Sequence, residues 1–156
     1  MFALWVPGSR LEAAITCVAN ASNRASSEAI LQAVDAKSRR QNEKIFDRVR
    51  SVFGDRSVAR TADIAGKHAH WEAHNVVLFP NRHRAVFEHM TAHTNSISTK
   101  YLMFSDIKSA DQDISLNVMI RDIAALDEKG LMVGDIANIL SLSSSDEQIR
   151  EYAKAS

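Results

Sequence analysis

Five glycines and two prolines are spread through 156 residues, so the chain has few places at which to reverse direction. A strand-rich fold wants a turn residue every ten or so positions, and scarcity of Gly and Pro therefore favours long helices. The expectation is an all-α, single-domain helical bundle of five or six helices over residues 1–156, with residues 1–25 partly irregular. A chain of this length buries roughly 70% of its unfolded surface, enough for a core without staples. Apolar residues make up 46% and charged residues 24%, which excludes a disordered chain.

Apolar periodicity places the helices. Leu31, Val34, Ile45, Phe46, Val49, Val52 and Phe53 share one arc at 100° per residue, which predicts a helix from about Ser27 to Phe53. Gly54-Asp55 turns the chain into a second predicted helix over Ala59 to Asn75. Val76 to Phe79, β-branched and ending at Pro80, reads as an extended connector. A third helix is expected over Arg82 to His93, then broken helix from Thr94 to Gln112. Leu116, Met119, Ile120, Ile123 and Leu126 share a face and predict a fourth helix over Ile114 to Leu126, stopped at Gly130. A short helix over Val133 to Leu140 and a last one, opened by the capping-box spacing Ser144-x-x-Glu147, complete the reading.

The net charge is zero, but it is unevenly distributed. Residues 37–60 hold eight Lys or Arg against three acids, whereas residues 105–156 hold ten acids against five bases. Within the basic stretch, Lys37, Arg40, Lys44 and Arg48 are spaced 3, 4 and 4 apart and line one side of a helix. Such a stripe can neutralise successive phosphates of a nucleic acid, or meet an acidic protein surface; its plain alternative is a solvated outer face. The acidic third can complement the stripe within one molecule or between copies, which makes homo-oligomers an expected partner class.

All six histidines lie between His68 and His93. The pairs His70/His74 and His89/His93 have i, i+4 spacing, which on helices puts both rings on one face. If two such helices pack antiparallel, four imidazoles converge as ligands for Zn or Fe, with Glu72 or Glu88 as supporting carboxylates. The segment His70-Trp-Glu-Ala-His74-Asn-Val-Val-Leu-Phe-Pro80 resembles the second helix of hemerythrin-like cation-binding domains, and His89-x-x-x-His93 is similar to the paired histidines that follow there. That resemblance covers about 24 residues and implies a helical bundle holding iron. It departs from the family where His74 replaces a Glu, and no histidine outside 68–93 supplies the remaining ligands.

Gly130 to Ser143 and the capped helix after it resemble a helix-turn-helix, giving residues 131–156 as a helical hairpin. Its would-be recognition helix carries Asp146, Glu147 and Glu151, which phosphates repel, so packing or protein contact is the expected role. No Gly-x-Ser-x-Gly elbow, phosphate loop or dinucleotide fingerprint is present, and the expectation is a binding protein without catalysis or cofactor. The single cysteine, Cys17, cannot close a disulfide within the chain. Ala19-Asn20-Ala21 mimics a signal-peptidase site, but Gly8, Arg10 and Glu12 interrupt the apolar run before it, so a cytoplasmic protein is expected. No run reaches the roughly 18 to 20 apolar residues of a bilayer span, so no membrane partner is expected.

The sequence thus leaves two readings. The first is a binding protein, regulatory or structural, using Lys37, Arg40, Lys44 and Arg48 toward nucleic acid or an acidic protein. The second is a histidine-rich metal-binding domain using His70, His74, His89 and His93.

Overall fold

The computed structural model describes residues 7, 11–111 and 113–154, without the side chains of 11–14 and 27–36. It overturns the all-α expectation. The strands of a mixed five-stranded sheet stand where four of the predicted helices were placed.

The chain divides into two compact units, Met1–Arg39 and Arg40–Ser156. From Leu11 on, the described part of the first unit is helical and belongs to α1, which runs from Leu11 to Phe53. Residues 15–26 within it are exposed, Ile15 and Val18 included. Leu31 and Val34, assigned to the buried arc from the sequence, fall outside the described side chains.

The second unit holds everything else. After α1 come β1 (Val58–Ala65), β2 (His70–Leu78) and β3 (Arg84–His89), then α2 (Thr94–Ala110), β4 (Ile114–Ile120), α3 (Glu128–Leu131), β5 (Asn138–Ser141) and α4 (Asp146–Tyr152). The strand order is β1-β2-β3-β4-β5, antiparallel at the first two pairings and parallel at the last two. The helix predicted over Ala59 to Asn75 is instead β1 and β2, and that over Arg82 to His93 is β3. The broken helix expected over Thr94 to Gln112 is the unbroken α2, with His93 at its N-cap.

The largest correction concerns residues 114–120. All seven are buried in β4, which is flanked by parallel strands on both sides. A strand covered on both faces has no polar face to alternate with, so it reads as a continuous apolar run that also satisfies helical spacing. Leu116, Val118 and Ile120 pack with Ile97, Met103, Phe104 and Ile107 of α2 on one side of the sheet. Met119 packs on the other with Ile45, Val49 and Val52 of α1 and Ile149 of α4. Each fully buried side chain of this size stabilises the fold by about 1.5–3 kcal/mol relative to exposure.

The helix-turn-helix expectation fails for a related reason. Residues 132–135 are a single 3₁₀ turn, Asn138–Ser141 is a strand, and only Asp146–Tyr152 is a helix of the kind foreseen. Its cap is one residue later than expected: Ser145 accepts from Gln148 N, and the Gln148 side chain accepts from Ser145 N, closing the capping box.

One backbone feature shapes the site. Asn75 sits at φ 51°, in the left-handed region that Asn tolerates better than most residues. The inward-facing set of β2 shifts there, so that Ala73 and Val76, three residues apart, belong to the same core cluster. Pairing of β2 with β3 covers only Val76 to Leu78, while pairing with β1 continues out to His70. Beyond Asn75, β2 has therefore parted from β3.

Candidate anion-binding groove and buried charge cluster

A groove of about 540 Å³ opens where β4 and β5 end. Gln41, Lys44, Ile45 and Arg48 of α1 form one wall, Met119 and Arg121 the end of β4, and Leu142 and Ser143 the exit from β5. Crevices outside the carboxyl ends of parallel strands are where open α/β sheets bind ligands, because the chain must leave the sheet there in different directions. Ile45 and Met119 are buried and belong to the core, so the cations stand on a rigid apolar base.

Arg48 is held in place. Its Nη2 donates to the Ser144 carbonyl at 3.1 Å and lies 2.6 Å from the Asp146 carboxylate. This is the contact between basic stretch and acidic third foreseen from charge, made within one molecule. Lys44 and Arg121 are exposed. Arg40 lies one helical turn before Lys44, also exposed, and Lys37 is exposed within the first unit. Of the four residues chosen from sequence, Lys44 and Arg48 thus line the groove. Arg121 was missed. Its signal was a charge placed directly after a buried apolar run, which marks the end of a strand only once the run is known to be one.

The other concentration of chemistry is at the split between β2 and β3. Glu88 is 1% exposed, and its carboxylate fills the place a strand partner would take. One oxygen accepts from the His74 backbone N–H and lies 3.1 Å from His74 Nδ1; the other accepts from Lys100 Nζ at 2.6 Å. Asn75 Nδ2 bridges the same split to the Phe87 carbonyl. Burial pushes the Glu88 carboxyl up, but the hydrogen bond from His74 and the Lys100 charge outweigh it and hold the group below its ordinary value. The hydrogen bond to Glu88 raises His74 against an opposing desolvation. Since an ionised carboxylate only accepts, His74 donates from Nδ1 and its Nε2 faces outward, 3.9 Å from Glu72. With the Nδ1 proton donated in the hydrogen bond to Glu88, the proton that His74 gains and loses with pH is the one on Nε2.

The remaining histidines separate. His70 pairs with Asp63 at 2.9 Å on the exposed side of the β1–β2 hairpin, His89 ends β3, and His93 caps α2 through Nδ1. The spacing argument for His70/His74 and His89/His93 required helices; His70 and His74 lie along one strand, where residues four apart stand about 13 Å apart, and His89 and His93 are divided between the end of β3 and the cap of α2. Among the described residues no group of three His, Cys, Asp or Glu side chains is placed to hold a metal ion. His83 is engaged elsewhere, 2.8 Å from the Ala153 carbonyl and 3.0 Å from Ser115 Oγ.

A second carboxylate anchors the hairpin. Asp106 of α2 accepts from Trp71 Nε1 and from the backbone N–H groups of His68 and Ala69, and these donors, Trp71 foremost, hold it below its ordinary value. Gly66 is required beneath it, because a Cβ there would meet Asp106 Oδ2 at 2.1 Å. A larger opening of about 870 Å³ lies at the amino ends of β3 and β4; its cations Arg82, Arg84 and Lys154 share the lining with the acids Asp111 and Asp113, and Arg84 is paired with Asp111 at 2.8 Å. The groove at the carboxyl ends has three cations and no acid in its lining, with Asp146 and Glu147 flanking Arg48 from α4, and is the better candidate for an anion.

No family model, curated protein or solved structure matches this chain. Among the described residues no helix is long and apolar enough to cross a membrane.

Proposed function

We propose that the protein binds nucleic acid through its sugar–phosphate backbone, using the groove of Lys44, Arg48 and Arg121 with Arg40 beside it. The supporting observation is Arg121. A basic stripe on one helix is commonly a solvated face, but a cation from the end of β4 joining two from α1 across a groove concentrates positive potential at one place. Backbone recognition needs little else, since phosphate contacts supply affinity and position without reading bases. An acidic protein partner is the weaker fit, because protein interfaces draw their energy from central aromatic or apolar anchors. Here two of the three apolar residues at the groove, Ile45 and Met119, are buried in the core, which leaves the half-buried Leu142 as the one apolar contact.

The test is fluorescence anisotropy of a labelled oligonucleotide with the full chain and with a Lys44→Glu/Arg121→Glu variant, both exposed positions that the fold tolerates. The variant is expected to bind at least about tenfold more weakly, a loss of about 1.4 kcal/mol. Unchanged affinity would remove the groove from the account. Displacement of the oligonucleotide by polyglutamate at equal charge concentration would point to an acidic protein instead.

A further inference from the structure

We infer that the nucleic acid taken by this groove is double-stranded, a refinement that rests on the nucleic-acid reading above. Proteins that hold single strands stack the unpaired bases on aromatic side chains beside a basic track. Among the described residues no aromatic lines the groove. The described aromatics are committed or distant. Phe46 lies under the guanidinium groups of Arg50 and Arg60, at 5.6 and 4.5 Å from its centroid. Phe53 packs against Phe79 and Phe87, and Trp71 is bound to Asp106. Tyr101 is on α2, across the sheet, and Tyr152 ends α4, about 9 Å along that helix from Asp146.

The cations themselves stand in a row set by one helix. Arg40, Lys44 and Arg48 follow one another at four-residue intervals, about 6 Å of helix rise each. The Ser144 carbonyl orients Arg48 at 3.1 Å, and the wall behind it is core. A preformed row gains most from a ligand whose phosphates already follow a fixed course. A single strand must be ordered to match it, at an entropic cost for each nucleotide immobilised. Counterion release favours the same choice, at about 0.9 per phosphate contact for a duplex against about 0.7 for a single strand.

One labelled strand, alone and annealed to its complement, is titrated with the full chain at two salt concentrations. The duplex is expected to bind about tenfold or more tightly, and Lys44→Glu to reduce that preference. Equal or tighter binding of the single strand, with the duplex still bound, overturns this inference and leaves the groove as a nucleic-acid site. Binding of neither overturns both.

Discussion

Glu88 is the most deeply buried ionisable side chain in the described part of the molecule, and an ionised carboxylate 1% exposed survives only when both oxygens are paired. Lys100 and His74 supply that pairing from two different elements. Lys100→Met removes one partner and leaves the other buried, so unfolding by urea is expected to show a loss of about 3 kcal/mol. The pH dependence has two limbs. Glu88, lowered in the fold, contributes stability that is present above its ordinary value near 4.3 and lost as pH falls through its folded value. His74, raised in the fold, contributes stability that is present below about 6.5 and lost as pH rises through its folded value. In Lys100→Met the acid limb is expected to move to higher pH; an unmoved limb and a loss under about 0.5 kcal/mol would contradict the assignment. Glu88 was legible in the sequence only as one of two carboxylates beside histidines, and Lys100, in a stretch read as broken helix, was not legible at all. Partners that meet across elements leave no spacing to read.

Among the elements, α1 from Ile45 to Phe53 was the clearest in the sequence, because one face of a helix resting on a sheet keeps its 3.6-residue period. The capping box of α4 was also visible, displaced by one residue. The strands were not. β4 is apolar throughout, and β2 changes its inward set at Asn75, so neither shows the alternation by which half-buried strands are recognised. The two-residue connections that mark hairpins are missing as well, since β1–β2 and β2–β3 turn through four and five residues. Element placement also bears on the proposed binding: α4 begins at Asp146, which holds Arg48 and would compete with a phosphate for it. Asp146→Asn removes that competitor. Because a partly exposed ion pair is worth about 0.2–1 kcal/mol, duplex affinity is expected to rise about two- to fivefold; weaker binding would mean that Asp146 positions Arg48 for the ligand instead.

For the whole molecule, the scarcity of Gly and Pro pointed to helices, and one helix of 43 residues accounts for much of it. Gly54 and Gly66 serve the first two turns, and the β2–β3 turn after Pro80 uses a non-glycine residue, Arg82, at φ 68°. The site was legible in half: α1 supplied Lys44 and Arg48 from spacing alone, while Arg121 needed the parallel order of β3, β4 and β5 to bring a strand end beside them. Four cations, Arg40, Lys44, Arg48 and Arg121, then define the footprint, with Arg48 already shared with Asp146. The most direct measurement is the salt dependence of duplex binding. With three to four phosphate contacts, log Kobs against log salt is expected to fall with a slope between about −2.7 and −3.6, and Lys44→Ala and Arg121→Ala each to flatten it by about 0.9. A slope near zero, or one that neither substitution changes, would contradict a backbone-binding groove at the ends of β4 and β5.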